Sequence, residues 1–216
     1  MSAGVSVTVS AGVSVTRGPV IWAVALLQFA LWLPASAWGA EELKFGTAPA
    51  LPALPAVTIN AHSQTPHATM ASFSVSDTRT TKSGWNVTVA GQSGTGKSAV
   101  FAQYCPKAKC GSDSEGYVAA GKTLAASSLT LSSTGASFTG GSGSAPTLQC
   151  SSACKVDSAS AVKIASAATG GAGEGTWTAT GFSATSLTLA IATTLKALLA
   201  EEVYRVNLLW TLATGP

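Results

Sequence analysis

Apolar and polar residues alternate with a period of two in several short runs after residue 70. The longest run lies near the C-terminus, where residues 204, 206, 208, 210 and 212 are all apolar or aromatic. Shorter runs lie at residues 73–75, 85–89, 129–131 and 187–191. A period of two places the apolar side chains on one face of a strand, as in an antiparallel sheet with one buried face. We therefore predict short β-strands in these segments.

Clusters of glycine and serine separate the predicted strands, at residues 91–96, 140–144 and 170–175. Such clusters are typical of turns and loops. Regularly punctuated short strands predict an all-β fold, an antiparallel β-sandwich of short strands with Gly/Ser-rich loops. Residues 195–202 contain strong helix formers, so this stretch predicts either a short helix or a strand end followed by a turn.

The N-terminal region has the pattern of an export signal. Arg17 precedes an apolar run over residues 19–33, after which come Pro34 and small residues with Ala35 and Ala37 two apart. This pattern predicts a signal peptide over residues 1–39, with cleavage after Ala37 or Gly39. The alternative is a retained membrane anchor, although the run is shorter than the roughly 20 residues that a spanning helix needs. We therefore expect no membrane span after signal cleavage.

Two further boundaries follow from the composition. Residues 2–8 (SAGVSVT) recur as residues 10–16, which is too short for a structural repeat, and we expect a translation start nearer Arg17. Residues 40–57 are rich in proline and alanine and predict an extended linker. Residues 58–216 then form the predicted β-sandwich domain.

Charged residues make up only 10% of the chain, and 12 basic against 9 acidic residues give a net charge of +3. The basic residues are scattered rather than gathered in a stripe with aromatic residues, so nucleic acid is not an expected partner. A slightly basic surface would favour an anionic wall polymer.

The cysteines agree with export. An even number of cysteines in an exported chain predicts two disulfides among Cys105, Cys110, Cys150 and Cys154. Three connectivities are open, of which two local loops, 105–110 and 150–154, are the simplest. The competing interpretation is a four-thiolate zinc site, but the spacings C-x4-C and C-x3-C differ from the usual paired C-x2-C.

Residues Gly91–Ser98 (GQSGTGKS) match the phosphate-binding P-loop pattern G-x-x-x-x-G-K-[ST] at every position. A true P-loop opens a helix whose N-terminus supplies much of the anion site. Here Pro106 and Gly111 end any helix within two turns, and the strand before the loop alternates instead of being continuously apolar. We therefore predict a loop with Lys97 exposed, and keep a P-loop nucleotide-binding protein only as a remote alternative.

No set of residues predicts catalysis. His62 and His67 lie five residues apart, which fits no common metal spacing, and no serine lies in a G-x-S-x-G elbow. The acidic residues fall in polar loops, where nothing singles out two of them. We predict that the protein is not an enzyme and holds no cofactor and no metal.

The C-terminal segment carries a family resemblance. A tyrosine lies six residues before W-x-L, and a proline follows the motif. This segment resembles the distal motif of the WxL-domain cell-surface proteins, and W-x-V in SGWNVTV is similar to the family's upstream motif. The matching residues are Trp85, Val87, Tyr204, Trp210, Leu212 and Pro216.

The resemblance implies a β-rich, secreted domain that attaches non-covalently to the cell wall (peptidoglycan) or to surface partner proteins of a Gram-positive bacterium. Its location would be extracellular, at the cell surface or in the cell wall. The alternative is a secreted adhesin or structural surface subunit that binds protein rather than glycan, which an exposed sheet edge would favour. We expect Trp85 and Trp210 to lie in the core; if partly exposed, they would stack on sugars.

Overall fold

The structure, a computed structural model, describes residues 5–9, 41–58, 60–199 and 201–216. Every regular element in the described ranges is a strand. The strands are β1 (Val5–Val9), β2 (Leu43–Thr47), β3 (His67–Ala68), β4 (Phe73–Asp77), β5 (Trp85–Gly91), β6 (Ala102–Cys110), β7 (Asp113–Tyr117), β8 (Leu129–Leu131), β9 (Ser137–Ser142), β10 (Thr147–Leu148), β11 (Cys154–Lys155), β12 (Val162–Ala167), β13 (Glu174–Thr180), β14 (Leu187–Leu189), β15 (Val203–Arg205) and β16 (Leu208–Thr214).

The strands form four antiparallel sheets. The largest has the order β1-β16-β5-β12-β10, and two four-stranded sheets have the orders β2-β4-β13-β9 and β11-β8-β14-β3. The fourth sheet is β15-β6-β7. The all-β, sandwich-like fold confirms the predicted fold class.

One apolar core joins the sheets. Trp85 on β5 meets Phe138 on β9 edge to face, with ring centroids 6.0 Å apart, and Phe73 on β4 meets the same phenyl ring at 5.9 Å. Trp85 and Phe73 are both 0% exposed. Because alternate side chains of each strand face inward, the period-two pattern placed these residues in the core, as predicted.

The C-terminal alternating run forms two strands instead of one. β15 pairs with β6 in the small sheet, whereas β16 pairs with β5 in the largest sheet. The break falls at Asn207, whose buried side chain accepts hydrogen bonds from the Ser98 amide (3.2 Å) and the Tyr117 hydroxyl (2.5 Å). These bonds, to the loop after β5 and to the last residue of β7, replace strand pairing at that point. The described part of residues 195–202 is irregular, so the helix alternative for this stretch is not realised.

The structure describes only part of the region for which we predict a signal peptide and a linker. Of the predicted signal peptide, only β1 is described, and the proposed cleavage sites lie outside the described residues. Within the predicted linker, residues 43–47 form β2, which pairs with β4. Leu51 and Leu54, between the prolines, pack partly buried against the core.

Candidate binding surface

The two tryptophans of the family motifs are buried. Trp85 is 0% exposed and Trp210 is 1% exposed. The indole Nε1 of Trp85 donates a hydrogen bond to the Gly173 carbonyl oxygen at 3.2 Å. The Nε1 of Trp210 has no hydrogen-bond partner among the described residues. In this structure neither ring is available to stack on a sugar, so the motif tryptophans build the core.

The two motifs lie side by side on neighbouring strands. In the β5–β16 register, Val87 lies opposite Leu212, and both side chains are buried. At the end of the pair, Asn86 Nδ2 donates to the Gly215 carbonyl at 2.7 Å. Pro216 follows directly and is exposed. The W-x-V and W-x-L segments therefore form one paired unit in the centre of the largest sheet.

Tyr204, the remaining motif residue, lies in the small sheet and lines a cavity of about 390 Å³. Its hydroxyl donates a hydrogen bond to the Lys196 carbonyl at 2.9 Å. Burial, and then the nearby charge of Glu202, raise the pKa of the phenol. Tyr204 therefore stays protonated at neutral pH and keeps this bond, which holds the Lys196 segment against the cavity.

The cavity has a basic and hydroxyl-rich lining. Lys122 and Lys196 contribute to it together with Thr123, Thr194 and Ser128. The Lys122 ammonium donates to the Ala197 carbonyl at 2.7 Å. Among the described residues that line the cavity, none is acidic. We call this site the basic cavity; its chemistry suits an anionic or polyhydroxylated ligand.

A buried polar pair lies next to the basic cavity. The Gln103 amide nitrogen donates to both carboxylate oxygens of Glu202 at 2.9 Å, and the Leu199 amide donates to one of them at 2.9 Å. These bonds, that of Gln103 first, lower the pKa of Glu202, whereas burial and contact with Glu202 raise the pKa of Asp113. The sequence did not single out Glu202, because a glutamate at the end of a short stretch of helix formers gives no sign of burial.

The P-loop-like segment forms a turn that closes on Asn207. The Lys97 amide donates to the Gly94 carbonyl at 3.0 Å, and no helix follows in residues 98–199. The Gln92 amide donates to the Asn207 carbonyl and the Asn207 amide donates to the Ser98 carbonyl, both at 2.8 Å. Lys97 is half-buried, which corrects the prediction of an exposed side chain. The segment thus connects β5 to the break between β15 and β16.

The cysteines form the two local disulfides, Cys105–Cys110 and Cys150–Cys154. The first closes a bulge in the β6–β7 hairpin, where Lys107 and Lys109 are exposed. Pairing within each cluster is favoured because each pair lies on one local bend, with Cα atoms 5.7 Å and 5.3 Å apart. The four-thiolate arrangement is therefore not formed.

His62 and His67 are both exposed; His62 lies in a bend before β3, and His67 is the first residue of β3. The Nδ1 of His67 lies 2.9 Å from the Thr188 hydroxyl. In the parts of the chain with assigned positions, no group of three or more His, Cys, Asp or Glu side chains is arranged to hold a metal ion. The same parts contain no helix that is long and apolar enough to span a membrane.

An ion pair that the sequence did not reveal lies at the start of β5. Arg79 donates to both carboxylate oxygens of Asp77 at 2.8 Å, to the Gly84 carbonyl at 2.9 Å and to the Thr214 hydroxyl at 2.8 Å. The hydrogen bond to Asp77 raises the pKa of Arg79. The only sequence signal is the Asp-x-Arg spacing after an alternating strand. This network fixes the ends of β4 and β16 beside the first motif tryptophan.

Comparison with protein-family models supports the family that the motif residues suggest. A search of curated proteins and a search of solved structures each returned no match. The family model described as "WxL domain surface cell wall-binding" matches residues 39–216, which include both tryptophan motifs and all of the described strands except β1. The chain therefore belongs to the WxL domain family of cell wall-binding surface proteins.

Proposed function

We propose that this chain is a secreted, non-catalytic domain that attaches non-covalently to the bacterial cell wall. The observation that carries the proposal is the family match over residues 39–216. The burial of both motif tryptophans supports a division of roles in which the motif maintains the fold and another surface binds. The domain would start near residue 39, because β2 already belongs to a core-facing sheet.

The basic cavity is the surface that we assign to wall binding. Its lining contains two lysines, Lys122 and Lys196, together with several hydroxyl residues. Anionic wall polymers carry repeated negative charge, so the lysines of a lining without carboxylates would bind them, in competition with neighbouring Glu202, whose charge interacts with Lys122. Serine and threonine hydroxyl groups both donate and accept hydrogen bonds, so they also suit the hydroxyl-rich sugars of peptidoglycan.

Co-sedimentation of the exported protein with purified sacculi tests this proposal. We expect saturable pelleting, and weaker pelleting by a Lys122→Ala/Lys196→Ala double variant. The matched control, Lys109→Ala/Lys163→Ala, removes the same charge from exposed positions elsewhere and should pellet like the unmodified protein. Circular dichroism checks that all variants fold.

Sacculi stripped of anionic polymers separate the two wall ligands. Binding that disappears with stripping identifies the anionic polymer, whereas binding that persists identifies the glycan. No pelleting with either preparation rejects direct wall attachment. Equal loss in both double variants rejects the basic cavity as the binding surface.

The second candidate function is binding of a surface protein rather than the wall. The edge of the largest sheet favours it, because β16 would be an edge strand once the proposed signal peptide is removed. An unpaired strand edge is a template for pairing with another chain.

A further inference from the structure

Among the described residues, one edge of the strand that carries W-x-L is paired with the N-terminal segment. β16 pairs with β5 on one side and with β1 on the other. The β1 pairing is antiparallel over five positions, from Val5 opposite Leu212 to Val9 opposite Leu208. β1 lies before both proposed cleavage sites and before the expected translation start near Arg17, so the exported chain would lack this strand.

The β16 segment itself lacks three features that commonly protect a strand edge. Edge strands are commonly blunted by charged residues, prolines or bulges. The segment Leu208–Thr214 (LLWTLAT) contains no charge, no proline and no glycine. Its pairing with β5 is continuous over seven positions without a register shift. The edge is therefore long and regular enough to accept another strand.

The core-facing residues of β16 also need apolar cover from a neighbouring strand. Leu208, Trp210 and Leu212 are each 1% exposed in the structure that includes β1. Removing a neighbouring strand exposes backbone N–H and C=O groups and the flank of these side chains to water. Binding of an extended segment would restore both the hydrogen bonds and the apolar cover.

We propose that the β16 edge is a strand-accepting site that, in the exported protein, binds an extended segment of a partner surface protein. The segment pairs antiparallel and alternates β-branched apolar residues with small hydroxyl residues, as VSVTV does in β1. This deepens the protein-partner candidate above and rests on removal of the signal peptide.

The probe is a fluorescent synthetic peptide with the sequence of residues 2–10, SAGVSVTVS. We expect it to bind the chain recovered after export, with processing checked by mass spectrometry. The unprocessed chain produced from Met1, in which β1 occupies the edge, should bind at least about tenfold more weakly. A Val7→Pro peptide removes one backbone donor and should also lose about tenfold, the equivalent of one lost hydrogen bond.

Hydrogen exchange locates the binding. Protection on peptide binding should increase in residues 208–214 and remain unchanged in β9, the edge strand of another sheet. A Thr211→Lys variant places a charge on the accepting strand and should weaken binding. Thr88→Lys is its control, because Thr88 lies opposite Thr211 on the central strand β5.

Four results would overturn the proposal. The first is no binding of the peptide by the exported chain up to about 1 mM peptide, and the second is hydrogen-exchange protection at a different strand edge. The third is dimerisation of the exported chain through β16 itself, and the fourth is retention of residues 5–9 after export. Sacculus pelleting is a separate readout. Peptide binding without pelleting rejects only wall attachment, and pelleting without peptide binding rejects only the strand-accepting edge.

Discussion

The two motif tryptophans should respond differently to the same substitution. Trp85→Phe removes an indole N–H that donates to the Gly173 carbonyl, whereas Trp210→Phe removes an N–H without a partner among the described residues. Both replacements delete the same atoms from side chains that are at most 1% exposed. The loss of apolar contact is therefore similar, and the difference between the variants reports the hydrogen bond.

The difference follows from the cost of a buried unsatisfied group. Leaving the Gly173 carbonyl without its donor costs about 1–3 kcal/mol, and removing the unpaired Trp210 donor relieves a comparable penalty. We expect Trp85→Phe to lower the free energy of unfolding by at least about 1 kcal/mol more than Trp210→Phe. For a chain of this size, 1 kcal/mol corresponds to about 2–4 °C in Tm.

Urea unfolding followed by far-ultraviolet circular dichroism measures the difference, since tryptophan fluorescence changes with the substitutions themselves. Leu199→Ala is the control: Leu199 is 50% exposed, and its replacement should change the unfolding free energy by less than about 0.5 kcal/mol. Equal losses for the two tryptophan variants, or a larger loss for Trp210→Phe, would refute the assigned role of the Trp85 hydrogen bond.

Three other predictions concern stability and use the same unfolding assay. Gly173→Ala should destabilise the protein more than Gly170→Ala by about 1–3 kcal/mol. Both glycines have positive φ, at 74° and 87°. An added Cβ at residue 173 would lie 2.6 Å from the Trp85 indole, whereas nothing lies within 4 Å of an added Cβ at residue 170. Equal losses would contradict this steric reason. Replacing Cys150 and Cys154 by serine should cost about 2 kcal/mol, the entropy of a short closed loop, and no loss would show that the disulfide does not contribute. Burial raises the pKa of Asp157, so its contribution to stability is present below the unfolded pKa and is lost as pH rises through the folded pKa. Asp157→Asn should therefore reduce the fall in stability with rising pH just above about pH 4, and an unchanged slope would refute it.

Much of the fold follows from local patterns in the sequence. The period-two runs placed Phe73, Trp85 and Trp210 on inward faces, because alternation along a strand needs no knowledge of its neighbours. The glycine and serine clusters marked the turns for the same reason. The spacing of the motif residues also identified the family, since W-x-L and its upstream tyrosine are read from consecutive residues.

Other features depend on which distant segments meet, and the sequence alone did not decide them. The sequence leaves three disulfide connectivities open, and only the bends around Cys105 and Cys150 decide between them. The split of the C-terminal run at Asn207 depends on hydrogen bonds from Ser98 and Tyr117, far away in the sequence. The basic cavity joins Lys122 to Lys196 across two loops. Local alternation determines which face of a strand is apolar, but only tertiary packing determines which strand edges, loops and charges come together.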